Sequence, residues 1–86
     1  MNDQPEVTVY GTNWCPDCGR AKRILDERQI PYRWVDIDKD YEGEKFVIVT
    51  NRGNRSVPTI VFSDGSILVE PSNAKLSEKL FKTLLI

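Results

Sequence analysis

The sequence predicts an α/β fold in the order β-α-β-α-β-β-α, and three observations carry it. In the first half, short branched or aromatic runs with period two flank a longer stretch of helical spacing. In the second half, Asp64-Gly65 separates two short apolar runs and signals a hairpin. After Pro71-Ser72, leucines at positions 76, 80 and 84 recur every four residues, the mark of a terminal amphipathic helix.

Taken in order, Val7-Thr8-Val9-Tyr10 is the first strand and Gly11-Thr12-Asn13 the loop that follows it. From Cys18 onward, Ala21, Ile24 and Leu25 share a helical stripe that keeps Cys18 on or near the inward side. Arg20, Lys22, Arg23, Asp26 and Glu27 take the solvated faces. This helix is expected to run to Gln29 and to be closed by Pro31. Tyr32 to Ile37 alternates aromatic and branched residues and forms the second strand, and a strand-helix-strand crossover makes the first two strands parallel. Tyr41 to Thr50 contains residues of strand propensity. It is assigned to a helix because Asp40 to Lys45 resembles a helix entrance and Phe46, Val49 and Thr50 share a helical face. Asn51 to Arg55 is a loop by composition. Val57 to Phe62 is a strand that opens at a proline, and Ile67 to Val69 is its hairpin partner. Ser72 or Asn73 caps the last helix.

Eighty-six residues make one small domain, in which a shallow groove is expected rather than a deep pocket. A net charge of −1 with interspersed signs gives no footprint for nucleic acid or an anionic membrane. Met1 to Pro5 is polar and lacks the order of a signal peptide, and no apolar run reaches the length of a membrane span, so a cytoplasmic location is expected. The sequence has no histidine, so a nucleophile here must be activated by dipoles, hydrogen bonds and cations rather than by imidazole.

The chemistry concentrates in Trp14-Cys15-Pro16-Asp17-Cys18, which holds the only two cysteines. Between a strand and a helix, Cys-x-x-Cys reads as a redox pair. A strand end delivers Cys15 to a helix start, where free N–H groups and the positive end of the dipole favour a thiolate. Cys15 is therefore the nucleophile, Pro16 fits the first turn, and Cys18, one turn along, is the resolving thiol. Two thiols supply only half of a structural zinc site, which leaves open a zinc or iron–sulfur centre shared by two chains. A purely structural disulfide would close too short a loop to remove much unfolded-state entropy.

Cys-x-x-Cys at the first helix, this element order, and Val57-Pro58 opening the third strand resemble the thioredoxin fold in its glutaredoxin-sized form: βαβαββα, with a mixed four-stranded sheet flanked by helices. The resemblance spans nearly the whole chain. It implies a cis Val57–Pro58 bond, with exposed backbone at Val57 pairing with substrate opposite Cys15. It also implies a dithiol oxidoreductase acting on protein disulfides or on mixed disulfides with a small thiol. No tightly bound cofactor is then expected, and the protein is expected to be a monomer.

Glutathione-using glutaredoxins usually have Cys-Pro-Tyr-Cys, a lysine three residues ahead of it, and a Gly-Gly with a nearby aspartate before the last helix. Here those positions hold Asp17, Thr12 and Pro71-Ser72-Asn73. Trp14-Cys15, the run from Asn51 to Thr59, Asp64-Gly65-Ser66 and Pro71-Ser72 are instead similar to the bacterial mycoredoxins, which reduce mixed disulfides with mycothiol. The ribonucleotide-reductase redoxins, recharged by thioredoxin reductase, are also similar in Trp14-Cys15 and size, although their tail motif is missing. The co-substrate implied is therefore mycothiol or glutathione, with thioredoxin reductase as the alternative reductant.

Two charged residues complete the candidate substrate-binding set of Trp14, Pro16, Asp17, Arg55, Val57 and Pro58. Asp17 beside the nucleophile opposes thiolate formation and repels anionic thiols, or else serves as an acidic first-turn residue of the helix. Arg55, two residues before Val57, is either the cation that receives a substrate carboxylate or a solvated loop arginine.

Overall fold

The computed structural model describes residues 7–84, with side chains for residues 7–82. The expectation for Met1 to Pro5, and the side chain of Leu84 in the leucine row, lie outside these described residues. The elements are β1 (Val7–Gly11), α1 (Pro16–Glu27), β2 (Tyr32–Asp36), α2 (Tyr41–Thr50), β3 (Thr59–Phe62), β4 (Ile67–Val69) and α3 (Asn73–Leu84). The strands form one sheet in the order β2-β1-β3-β4. β1 runs parallel to β2 and antiparallel to β3, and β3 pairs antiparallel with β4. The expected mixed sheet with its flanking helices is thus what forms.

β1 is interior to the sheet, and its alternation sorts the two cores. Val7 and Val9 join Ala21, Leu25, Ile60, Phe62, Leu76 and Leu80 beneath α1 and α3. On the other face Val35, Ile37 and Val47 form a smaller cluster under α2, with Tyr10, Phe46 and Val57 packed against it. The Tyr10 and Phe46 rings stack at 4.7 Å. Gly43 lets α2 approach the sheet, since a Cβ there would lie 2.6 Å from Val35 Cγ1.

α2 occupies the expected span, but its buried row differs. Gly43 and Val47 are buried with Phe46 and Thr50 half-buried, whereas Val49 is 70% exposed. At 100° per residue, the row 43-46-47-50 faces the sheet and position 49 falls outside it. α1 ends at Glu27 rather than at Gln29. Gln29 takes a left-handed φ of 57°, with its N–H donating to the Asp26 carbonyl and the Ile30 N–H donating to the Leu25 carbonyl. This is a Schellman stop, and it is completed before Pro31 because a residue preceding proline is driven out of helical geometry. β3 begins at Thr59, not Val57, because Pro58 has no N–H to give to a ladder. β1 includes Gly11 rather than ending at Tyr10, and the Ile37 N–H donates to the Gly11 carbonyl at 2.9 Å just past the end of β2. At the hairpin Gly65 takes φ 87° and Asp64 Oδ1 accepts from Ser66, while Ser72 Oγ caps α3 by accepting the Lys75 N–H.

Candidate active site

The site forms where β1 hands the chain to α1. Cys15 is the N-cap residue, in extended conformation, and Pro16 opens the helix. The Cys15 sulfur takes the role a serine oxygen plays at other helix starts, accepting the Cys18 N–H at 3.2 Å. That N–H and the N-terminal end of α1 both face the Cys15 sulfur. Both thiols are free; Cys15 is half-buried and Cys18 fully buried.

The seat of Cys18 depends on Gly11. A Cβ at position 11 would lie 2.6 Å from Cys18 Sγ and 2.8 Å from Trp34 Cη2, so only glycine lets the sulfur sit against β1. Burial pushes the Cys18 thiol up to about 12, and the adjacent Cys15 sulfur adds to the effect. The Thr12 backbone N–H and the Lys22 ammonium act in the opposite direction. Lys22 is itself held 3.7 Å over the Trp34 ring. Thr12 is buried, and its Oγ1 is without a hydrogen-bond partner among the described residues.

Opposite Cys15 lies Val57–Pro58, whose peptide bond is cis. The pairing of Tyr10 with Thr59 sets Pro58 level with Gly11, the last residue of β1. The Val57 carbonyl oxygen is 3.8 Å from Cys15 Sγ. Trp14 stands at the rim, 67% exposed, and its indole N–H donates to Asp38 Oδ2 at 2.9 Å.

Arg55, which the sequence offered either as a cation for a substrate carboxylate or as a solvated loop arginine, is held by acidic side chains of the protein itself. Its Nη2 reaches Asp38 Oδ1 at 2.5 Å, and its Nε donates to Glu44 Oε2 at 2.7 Å. Two carboxylates of its own chain already hold it. Arg55, and after it the Trp14 indole, keep the Asp38 carboxyl below the usual range, while Glu44 and then Asp38 raise the Arg55 guanidinium. Asp17 is likewise paired, with Arg20 one turn along on the outer side of α1.

Trp14, Cys15, Pro16, Cys18, Val57 and Pro58 therefore meet at one spot, Asp17 lies on the solvated flank, and Arg55 reaches the spot only through Asp38. Sequence reasoning passed over Gly11 as a close-approach residue and Asp38 altogether, and read Glu44 only as part of a helix entrance. Asp38 had a signal: it follows a strand parallel to β1, and ligand sites gather beyond the carboxyl ends of parallel strands. Among the described residues no group of three or more His, Cys, Asp or Glu side chains gathers into a metal site. Surface clefts run along α2, lined by residues such as Tyr41, Glu42 and Phe46, and those clefts do not include the cysteines.

Fold and site together define a thioredoxin-like protein with a paired-cysteine centre. The glutaredoxin family profile matches residues 7–67, and the chain belongs to that family. It is 43% identical over 76 residues to a Mycobacterium tuberculosis protein assigned to the glutaredoxins, covering 88% of this chain and 90% of that one. It is 39% identical over 74 residues to mycoredoxin 1 of Corynebacterium glutamicum, covering 86% and 91% respectively. The solved glutaredoxin of Archaeoglobus fulgidus matches with a TM-score of 0.72 at 28% identity, over 91% of this chain and 88% of that one.

Proposed function

We propose that the protein is a dithiol oxidoreductase that reduces protein disulfides, or mixed disulfides with a small thiol, by exchange through Cys15. The observation that carries this is the contrast within one helical turn. Cys15 is half-buried, accepts an N–H at 3.2 Å and faces a backbone carbonyl, whereas Cys18 is sealed beneath it. The Cys15 thiolate attacks one sulfur of the substrate disulfide, forming a mixed disulfide and expelling the other sulfur as a thiolate. Cys18 then loses its proton and attacks the Cys15 sulfur, which forms Cys15–Cys18 and releases the second substrate thiolate. Two electrons pass from the dithiol to the substrate, and an external thiol or reductase returns them.

The environment of Cys18 suits this order. Of the influences that raise it, two come from the Cys15 sulfur, and they weaken once Cys15 is engaged in a disulfide. The resolver ionises more readily when it is needed. Similarity to a mycoredoxin supports mycothiol as the small thiol; glutathione and thioredoxin reductase are the other reductants to be compared. The described residues include no helix long and apolar enough to cross a membrane, and the proposed place of action is the cytoplasm.

The test is the order of the thiols. With limiting iodoacetamide near neutral pH, mass spectrometry should find Cys15 modified at least about 100-fold faster than Cys18. The rate at Cys18 should rise only as pH climbs toward 12. Cys18→Ser should accumulate a mixed disulfide on Cys15, and Cys15→Ser should be inert. Preferential labelling of Cys18, or turnover by Cys15→Ser, would refute the mechanism. Recovery of the oxidised protein with mycothiol, glutathione or thioredoxin reductase then separates the reductants.

A further inference from the structure

Trp14 and Val57 flank the nucleophile, and neither is held by the sheet ladder. Trp14 lies in the turn before α1, and Val57 ends a loop that begins at Asn51. Both are tied to the same carboxylate. Asp38 Oδ2 accepts the Trp14 indole N–H, and Asp38 Oδ1 accepts from Arg55, two residues before Val57. Asp38 is itself fixed: its N–H donates to Asp36 Oδ1 at the end of β2, and Asp36 Oδ2 accepts from Asn13 beside Trp14. Glu44 on α2 holds the other edge of the guanidinium. The turn before α1 and the loop before Val57 therefore converge on Asp38, and of Asp36, Asp38 and Glu44 it alone touches both sides of the site.

We propose that Asp38 is a positioning residue for the exchange reaction: its single carboxylate clasps Trp14 and Arg55 together and so sets the gap between Cys15 and the Val57 backbone. The proposal rests on the exchange function argued above. Exposed ion pairs add little to stability, so the network acts on geometry rather than on folding. Geometry matters here because an incoming disulfide must lie along the Val57 backbone with one sulfur in line with Cys15, and small misplacements are felt strongly in such alignments.

The experiment uses the full chain with Trp34→Phe, which leaves Trp14 as the only tryptophan. Acrylamide quenching of Trp14 reads the clasp. Turnover of a short peptide disulfide-bonded to 5-thio-2-nitrobenzoate reads the gap, and hydroxyethyl disulfide serves as a probe too small to need both walls. Asp38→Ala should raise the quenching constant toward the limit of about 1.5-fold set by a Trp14 that is already 67% exposed, and the KM for the peptide about five- to tenfold, with kcat and Cys15 alkylation within about twofold of the parent. Hydroxyethyl disulfide should be nearly unaffected, and the thermal midpoint should move by only a few degrees. Asp38→Asn keeps an acceptor for the indole but loses the charge facing Arg55, and should fall between parent and Asp38→Ala. It decides by the same KM criterion if Asp38→Ala does not fold.

Unchanged quenching, or raised quenching with an unchanged peptide KM, would overturn the proposal. So would a parallel fall of kcat, alkylation and thermal midpoint, which marks a merely structural role. A parent protein inert toward both disulfides would remove the exchange function and the proposal with it. An active parent matched by Asp38→Ala would remove the proposal alone.

Discussion

The two walls of the site face each other across 3.8 Å and are held by different means. The Cys15 wall is local: a strand end, a helix start and the N–H of a residue three positions on. The Val57 wall follows a loop outside the sheet ladder and, apart from backbone bonds such as that from the Glu70 N–H to the Pro58 carbonyl, is secured by side chains. Asn51 donates to the Val47 carbonyl and to Thr59 Oγ1, Thr59 Oγ1 donates to the Ser56 carbonyl, and Arg55 reaches Asp38 and Glu44. One wall is fixed by backbone geometry that a few adjacent residues encode. The other is fixed in good part by side-chain bonds, two of which reach 11 and 17 positions along the chain, so its position depends on polar groups that can be removed singly.

The largest stability effect expected from a single change falls on the Cys15 wall. Gly11→Ala forces a methyl into Cys18 Sγ and the Trp34 ring, both of which are packed. Overpacking of this kind costs about 2–3 kcal/mol. Urea unfolding of the reduced protein should show that loss together with faster alkylation of Cys18 as the sulfur is displaced. Full stability with a protected Cys18 would mean that β1 and α1 are less tightly coupled than the geometry requires.

A smaller effect is expected on the Val57 wall. Thr59→Val keeps the volume of a fully buried residue but deletes the oxygen that links Asn51 to the Ser56 carbonyl. Losing these bonds should cost about 1–2 kcal/mol. Amide exchange should speed up in residues 51–57 while α1 stays protected. Equal exchange on both sides would erase the distinction between the walls.

The same distinction explains what was legible in the sequence. The placement of Cys15 at the helix cap, Pro16 in the first turn and Cys18 one turn along was readable because it follows from adjacent positions and from helix-terminus physics. The span of α2 was readable from its polar entrance, and Asp40 does cap it by accepting the Gly43 N–H. The outward turn of Val49 was not, because propensity says nothing about which row meets the sheet. The early stop of α1 at Gln29 hid behind a proline that looked sufficient to end the helix. Val57 and Pro58 were found through family resemblance, since nothing local to Val-Pro says what it will face. Arg55 looked like a free cation because its carboxylate partners lie 11 and 17 positions away. Asp38 stayed hidden for the same reason: a lone aspartate after a strand shows neither the indole nor the guanidinium it will meet.

The smallest expected effect concerns Asp17, the charged residue nearest in sequence to Cys15. Its carboxylate is paired with Arg20, and both side chains are nearly half exposed. Pairing and solvent therefore blunt the repulsion that the sequence alone suggested. Removing one unit of negative charge several ångströms away in a water-like medium changes the interaction by well under about 1 kcal/mol, which limits the effect on rate to about threefold. Asp17→Asn should thus speed iodoacetamide alkylation of Cys15 by no more than that at low ionic strength, and Arg20→Gln should slow it by a similar factor. Both effects should vanish near 1 M salt, where the screening length falls to about 3 Å. If Asp17→Asn instead slows alkylation, and the change persists in salt, the carboxylate acts by securing the first turn of α1, and Cys15 loses the ordered N–H of Cys18 when that turn frays.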